Sequence, residues 1–259
     1  MNFPHLTRRR FLAAAALLAP AAAYGDARLV ELRWVKIKQL RLSDAPTRQL
    51  VHFTDLHHKG DTAILEHVVA EINRLKPELV CFTGDIVEEA SFLLPALKIL
   101  ARIQAPLYGI PGNHEYWSNV PFGPIRECFA STGGAWLVDE AYEVPGKNLN
   151  LVGVAQMDAK HPVPASKPGV LNLLLLHYPA WVKELGDRKY DLILAGHSHG
   201  GQVRIPFYGP IALPFGVDEF DLGLFRTRWG PLYVNPGIGY IYDYNFRFNC
   251  RPEITVIEL

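Results

Sequence analysis

Short apolar runs alternate along the chain with longer stretches in which apolar residues recur at helical spacing. Six of the runs have the length and the flanking turn residues of buried strands. They are Val51–Thr54, Leu79–Thr83, Leu107–Ile110, Leu149–Val154, Leu171–Leu176 and Leu192–Ala195. Helical spacing covers Asp61–Lys76, which Pro77 ends, and Phe92–Ile103. Strands that alternate with helices predict an α/β fold with right-handed crossovers.

The remaining regions carry weaker patterns. Leu29–Leu42 alternates apolar and basic residues and predicts an amphipathic edge strand, and Trp117–Gly134 predicts a loop with one short helix. Beyond Gly200, short strands such as Glu253–Leu259 lie between Gly/Pro turns. No internal repeat and no obvious linker divides the chain, so we expect one domain over residues 28–259.

Side chains able to bind a metal ion directly follow five of the six runs. They are Asp55 and His57, Asp85, Asn113 and His114, His177, and finally His197 and His199. Open α/β sheets place their active sites at the carboxyl ends of the strands. The pattern therefore predicts a functional site as well as a fold.

The net charge and the cysteine spacing of the chain indicate which kinds of partner are expected. The 259 residues contain 26 Lys+Arg and 26 Asp+Glu, so the formal net charge is zero and gives no argument for nucleic-acid binding. None of the three cysteines has CxxC spacing, which indicates neither a zinc knuckle nor a disulfide framework. We therefore expect no nucleic-acid partner.

The N-terminus has the pattern of an export signal. Thr7-Arg8-Arg9-Arg10-Phe11-Leu12 precedes an Ala/Leu-rich stretch, which resembles a twin-arginine signal over residues 1–27. We expect recognition by the twin-arginine export machinery, and a protein that is periplasmic or attached to the outer face of the inner membrane. An ordinary Ala-rich helix and an uncleaved anchor, which would associate with the membrane, are the alternatives.

The candidate ligands favour a particular chemistry. Asp, His and Asn without Cys suit divalent ions such as Mn, Fe, Zn or Mg. The chain offers seven such groups, which suits two ions with a bridging carboxylate better than one ion. Two-metal sites generate a metal-activated hydroxide that attacks phosphorus in line, and a nearby imidazolium can protonate the leaving oxygen.

The same residues resemble a known family. In order, Asp55-Leu56-His57, Gly84-Asp85, Gly112-Asn113-His114-Glu115, His177 and Gly196-His197-Ser198-His199 are similar to the five motif blocks of the calcineurin-like metallophosphoesterase superfamily. The resemblance implies a four-layer α/β/β/α sandwich of two mixed sheets flanked by helices.

The resemblance also implies a role for each site residue. Asp55, His57 and His199 would hold the first of two divalent ions, and Asp85 would bridge both. Asn113, His177 and His197 would complete the second. His114 would contact the phosphate and protonate the leaving group.

The N-terminus and the ending Arg251-Pro252-Glu253-Ile254 resemble an exported single-domain branch, the YaeI- and YkuE-type phosphoesterases. That resemblance implies a phosphodiesterase acting on a small-molecule or lipid-linked phosphoester. A hydrolase of the UDP-2,3-diacylglucosamine pyrophosphate bond in lipid A synthesis is the alternative enzyme, although that reaction belongs to the cytoplasmic face. A catalytically silent metal-binding scaffold is the alternative of another class, and the intact His114 weighs against it.

Some roles stay open at this point. Arg204, Arg226 and Arg247 are each able to clamp a substrate phosphate, and the sequence does not choose among them. Glu115 either accepts a hydrogen bond from a neighbouring imidazole or is a carboxylate at the start of a helix. The substrate-binding residues are therefore unknown from the sequence.

Overall fold

The computed structural model describes residues 24–27, 33–155, 163–241 and 245–259. The predicted export segment lies outside this range except for residues 24–27. Among the described helices, none has both the length and the apolar character needed to span a bilayer.

The described strands, numbered along the chain, form two six-stranded sheets and a small hairpin. The first sheet has the order β1 (Lys36–Arg41), β14 (Glu253–Glu258), β2 (Gln49–Phe53), β3 (Leu79–Phe82), β4 (Leu107–Gly109) and β5 (Ala135–Trp136). The second has the order β12 (Gly223–Thr227), β13 (Gly230–Val234), β9 (Leu192–Ala195), β8 (Leu171–Leu176), β7 (Leu149–Val154) and β6 (Glu140–Val144). The hairpin pairs β10 (Arg204–Ile205) with β11 (Gly209–Pro210).

Both sheets are mixed, and each has a parallel centre. β2, β3, β4 and β5 run parallel in the first sheet, while β14 is antiparallel to β2. β7, β8, β9 and β13 run parallel in the second sheet, while β6 and β12 are antiparallel to their neighbours. The carboxyl ends of the parallel strands therefore meet at one edge of each sheet.

Four α-helices connect the strands of the first sheet. They are α1 (Thr62–Leu75), α2 (Leu93–Leu100), α3 (Asn113–Trp117) and α4 (Phe122–Ser131). Asp61 caps the start of α1 by accepting from the backbone N–H of Ala63, and Lys76 ends it in a left-handed conformation. The helix expected over Phe92–Ile103 begins as a 3-10 turn at Ala90–Phe92 and becomes α-helical at Leu93.

The six predicted strands are all present, and Lys36–Arg41 lies at the edge of its sheet as expected. Alternate residues of the central strands face opposite layers because side chains alternate along a strand. Val51 and Phe53 pack under the α-helices, whereas Leu50 packs against the second sheet. Buried residues on the far face of the second sheet pack against the 3-10 helix Pro179–Leu185. The result is the predicted layered α/β/β/α arrangement, with a 3-10 helix in its last layer.

Candidate metal centre

The predicted metal-binding side chains lie just after buried strands, most of them on turns and Asn113 at the start of α3. Several of these turns have a left-handed backbone, with φ of 50° at Asp55, 41° at His57, 63° at Asp85, 65° at His197 and 49° at His199. This conformation costs a non-glycine residue about 1–3 kcal/mol and is concentrated at functional sites. The backbone conformation alone therefore indicates that these turns serve to aim their side chains.

Two glycines allow the turns to approach one another closely. A Cβ on Gly112 would lie 2.3 Å from Asp85 Oδ1, and a Cβ on Gly196 would lie 2.4 Å from Asp55 Oδ2. The backbone N–H of His197 donates to both carboxylate oxygens of Asp55, at 3.1 and 3.0 Å. The backbone N–H of His114 donates to Asp85 Oδ1 at 2.8 Å. Backbone contacts thus hold both carboxylates in place.

The first group of candidate ligands consists of Asp55, His57 and His199. Their ligand atoms lie within 4.8 Å of one another, and all three residues are buried. His199 Nε2 is 3.1 Å from His57 Nε2 and 3.5 Å from Asp55 Oδ1. These are the three residues expected to hold the first ion.

The second group consists of Asp85, His177 and His197, whose ligand atoms also lie within 4.8 Å of one another. His177 Nε2 is 3.1 Å from His197 Nδ1 and 2.9 Å from Asn113 Oδ1. Asp85 Oδ2 is 3.3 Å from His177 Nε2 and also 3.3 Å from His57 Nε2 in the first group. Asp85 therefore contacts a member of each group, and it is the residue that both ions would share.

The outward-facing nitrogens of three imidazoles have hydrogen-bond acceptors. His57 Nδ1 donates to Glu88 Oε2 at 2.8 Å, His177 Nδ1 to the carbonyl of Thr83 at 2.7 Å, and His197 Nε2 to the carbonyl of Phe215 at 2.8 Å. Such bonds fix the orientation of a metal-binding imidazole and its tautomer, leaving the other nitrogen for an ion. The ring of each histidine is thus held with one nitrogen directed into the centre.

The pKa values of the two carboxylates at this centre are shifted in opposite directions. Burial raises the pKa of Asp55. Burial also opposes ionisation of Asp85, but the adjacent His177 and His57 outweigh it and hold the pKa of Asp85 well below its usual value.

The four imidazoles divide into two pairs according to the direction in which their pKa values are shifted. Burial disfavours charge on His57 and His177, yet the neighbouring carboxylates outweigh burial and raise the pKa of His57 to about 10 and that of His177 to about 9. Burial lowers the pKa of His197 to about 3 and holds that of His199 well below its usual value. Without other cations, two imidazoles hold protons that balance the carboxylates.

The charge of the site and its donor atoms decide whether two divalent ions fit it. Cations would supply the positive charge that the protonated imidazoles otherwise supply, and the closely spaced ring nitrogens would become ligands. The mixture of imidazole, carboxylate and amide donors suits hard or borderline divalent ions such as Mn, Fe, Zn or Mg. The residues present therefore fit two such ions.

His114 lies beside these two groups and forms a third cluster with His57 and Glu88, whose potential ligand atoms lie within 4.8 Å of one another. Its ring packs edge-on against His57, with centroids 4.5 Å apart, and lies 5.1 Å from the ring of the exposed Trp117. Burial lowers the pKa of His114, while the nearby carboxylates of Asp85 and Glu88 oppose that shift. The half-buried ring therefore lies at the edge of the candidate metal centre.

Glu88 is a site residue that the sequence did not reveal. Its Oε2 atom is 2.8 Å from His57 Nδ1 and 3.4 Å from His114 Nδ1, so one carboxylate contacts a candidate ligand and the candidate proton donor. The only available signal was its position three residues after Asp85. A short turn after Asp85 places Glu88 beside the candidate metal centre.

Glu115 is a carboxylate at the start of a helix, and it supports the turn that carries Asp85. It is completely buried and accepts from the backbone N–H groups of Asp85 at 2.9 Å, Ile86 at 2.7 Å and Gly112 at 2.7 Å. Of the two roles left open for this residue, the structure supports the helix start. Glu115 thereby joins the turns after β3 and β4.

The three candidate arginines have other partners or lie elsewhere. Arg247 is completely buried, donates to the carbonyl of Pro236 at 2.8 Å and has Nη2 3.3 Å from His199 Nδ1. Arg204 pairs with Asp221 at 2.9 Å, and Arg226 lies on the exposed side of β12. Arg247 therefore positions a candidate ligand instead of facing a substrate.

Comparison with known proteins shows a family and a fold for this chain. A family model described as calcineurin-like phosphoesterase matches residues 48–201. The chain is 30% identical over 275 residues to phosphodiesterase YaeI of Escherichia coli (strain K12), covering 98% of this chain and 99% of that protein. It is 28% identical over 284 residues to the metallophosphoesterase YkuE of Bacillus subtilis (strain 168), covering 98% of each chain. A dimetal phosphatase from Danio rerio has a similar fold, with a TM-score of 0.52 at 13% identity over 83% of this chain and 99% of that chain.

Proposed function

The chain belongs to the calcineurin-like phosphoesterase family, and on that premise we propose that it hydrolyses phosphodiesters at a centre of two divalent ions. It is a metal-dependent phosphoric ester hydrolase. One observation carries the assignment of the site. The side chains on five separate turns converge into two groups that share Asp85.

In this proposal Asp55, His57 and His199 would hold the first ion, and Asn113, His177 and His197 would hold the second. Asp85 would be shared by the two. When bound, the ions supply Lewis acidity that activates water and neutralises charge on the phosphoryl oxygens. Mn, Fe, Zn and Mg are the candidates that suit this set of nitrogen and oxygen donors.

His114 and Glu88 provide the proton chemistry in this proposal. A departing alkoxide requires a proton, and a positioned imidazole can deliver one. Glu88 accepts from His57 and lies 3.4 Å from His114 Nδ1, so its negative charge partly opposes the lowering of the His114 pKa by burial and restrains the orientation of the ring. This arrangement supports His114 as the general acid.

A cavity beside the first group supports a diester as substrate. It has a volume of about 550 Å³ and is lined in part by His57, His58, Lys59, Ile238 and Tyr240. That volume is within the range typical of small-molecule sites. A monoester needs no room beyond its single organic group, whereas a diester needs space for a second. The cavity is suited to that second group.

The test uses protein that is stripped of metal and reloaded with Mn. We expect hydrolysis of bis-p-nitrophenyl phosphate that exceeds hydrolysis of p-nitrophenyl phosphate and disappears when a chelator is added. A substitution on the surface of α4, Glu127→Ala, is the control and should leave the rate unchanged. Absence of hydrolysis with any divalent ion would favour the metal-binding scaffold, and selective cleavage of a nucleotide-linked lipid pyrophosphate would favour the alternative enzyme.

The proposal includes a location. The Arg8-Arg9-Arg10 sequence before an apolar stretch supports export by the twin-arginine machinery, to the periplasm or the outer face of the inner membrane. Changing both Arg8 and Arg9 to Lys should retain the protein in the cytoplasmic fraction. An unchanged distribution between fractions would contradict this route.

A further inference from the structure

The hairpin formed by β10 and β11 and the residues after it present apolar side chains to solvent. We call residues 205–215 the apolar hairpin. Phe207 is 110% exposed, Tyr208 78%, Ile211 62% and Phe215 91%. From Ile205 to Val217 the chain contains no charged side chain.

This concentration of apolar surface differs from ordinary surface composition. Single exposed apolar residues are common, whereas contiguous exposed apolar patches mark binding surfaces. The β10–β11 pairing involves only two residues of each strand, and the side chains of Phe207, Tyr208 and Ile211 all remain exposed. The apolar hairpin is therefore shaped to contact another apolar phase.

The chemistry of the hairpin favours lipid as that phase. Protein interfaces carry about one hydrogen bond per 100–200 Å², but the side chains of the hairpin offer a single polar group, the hydroxyl of Tyr208. Exposed aromatic and aliphatic side chains without charge are typical of segments that enter a membrane interface.

The charges next to the hairpin are compatible with lipid as well. Lys183 pairs with Asp218 at 2.8 Å and with Glu219 at 2.7 Å, and Arg204 pairs with Asp221 at 2.9 Å. Each of these three acidic residues near the hairpin therefore has a basic partner, and their repulsion of anionic headgroups is reduced. The predicted export segment, with its apolar stretch Phe11–Ala23, would add a second membrane attachment if it stayed uncleaved.

We propose that the apolar hairpin docks on the interface of a lipid bilayer. Docking would bring the candidate metal centre close to the membrane, because the hairpin adjoins it. The carbonyl of Phe215 accepts from His197 Nε2 at 2.8 Å, and the exposed tip belongs to the same segment. If the proposed function holds, this surface would favour phosphoesters that are embedded in a membrane, with the phosphate at the headgroup level.

The first experiment places an environment-sensitive fluorophore on the hairpin of the full-length protein. Phe207→Cys receives the label, and Leu94→Cys on α2, where the native side chain is 66% exposed, is the matched control. The three native cysteines are buried, so labelling is confined to the introduced thiol. Vesicles of phosphatidylethanolamine and phosphatidylglycerol should increase and blue-shift the emission at position 207 and leave position 94 unchanged. Both proteins contain the N-terminal segment, so the difference reports on the hairpin.

The second experiment removes the apolar side chains. The triple variant Phe207→Ser, Tyr208→Ser, Ile211→Ser should partition into these vesicles at least about tenfold more weakly than the wild type, because each side chain contributes to burial in lipid. Leu94→Ser should partition like the wild type. All variants should hydrolyse bis-p-nitrophenyl phosphate in solution at the same rate, which separates loss of docking from loss of activity.

Three results would overturn the proposal. The first is an emission at position 207 whose intensity and wavelength do not change when vesicles are added. The second is partitioning of the triple variant that equals the wild type. The third is an emission shift that requires no lipid and grows with protein concentration, which would assign the surface to a second copy of the chain. The docking result stands or falls independently of the proposed function, because vesicle binding requires no catalysis.

Discussion

Replacing Glu115 with alanine should destabilise the protein through the turns that it joins. The buried carboxylate accepts three backbone hydrogen bonds, from Asp85, Ile86 and Gly112, at 2.7–2.9 Å. Asp85 has φ of 63° and Gly84 has φ of 102°, so this turn needs external support to keep its conformation. Glu115→Ala removes that support and leaves three buried N–H groups without an acceptor.

Two opposing effects determine the size of the loss. Each unsatisfied buried donor costs about 1–3 kcal/mol, which gives about 6 kcal/mol for three at the middle of that range. Against this, burial and the nearby Asp85 raise the pKa of Glu115 from 4.5 to about 7. The raised pKa means that burial and Asp85 disfavour the ionised carboxylate, so its removal offsets part of this loss. We therefore expect a net loss of roughly 2–4 kcal/mol, below the sum for three donors, in the free energy of unfolding.

Urea unfolding of metal-free protein, followed by circular dichroism, measures this loss. Glu115→Gln should lie between the wild type and the alanine variant, because one amide oxygen can still accept. Glu127→Ala on the exposed surface of α4 is the control and should remain within about 0.5 kcal/mol of the wild type. If Glu115→Ala unfolded at the same urea concentration as the wild type, the reasoning on buried donors would be refuted.

Three further predictions concern the centre itself. His114→Ala should retain its metal ions and lose about 10²–10⁴-fold in kcat, since a proton donor and not a ligand is removed; a fully active variant would exclude the role. Glu88→Gln should weaken Mn binding or turnover about 10–100-fold, because His57 loses a charged acceptor at 2.8 Å, and unchanged values of both would show that the contact is not used. Mn binding near neutral pH should release protons and strengthen as pH rises, because the raised pKa values of His57 and His177, about 10 and 9, keep both rings protonated without metal. Calorimetry in buffers of different ionisation heat measures that release, and a buffer-independent heat would contradict it.

The strands and the ligand positions could be predicted because each depends on a local pattern. Runs such as Leu173–Leu176 and Leu192–Ala195 are apolar because both faces of the parallel sheet are covered. His177 follows the first run directly and His197 follows the second after one glycine, where each strand reaches the edge of the sheet. Strand order and motif order together therefore identified the residues that converge.

Other features depend on contacts between segments that are distant in sequence. The sequence around Glu88 does not indicate its role, because its contacts with His57 and His114 depend on a turn of the folded chain. The apolar hairpin has the composition of a buried segment, and only the three-dimensional arrangement shows that Phe207 and Tyr208 face solvent. Periodicity identifies residues that can be buried, but it does not determine which of them the final packing covers.

Anomalous diffraction from crystals loaded with Mn tests the central claim most directly. Two peaks should appear beside Asp85, one among Asp55, His57 and His199 and the other among Asn113, His177 and His197. Peaks elsewhere in the molecule, or no peak at these two positions after loading, would contradict a two-ion centre built by these side chains.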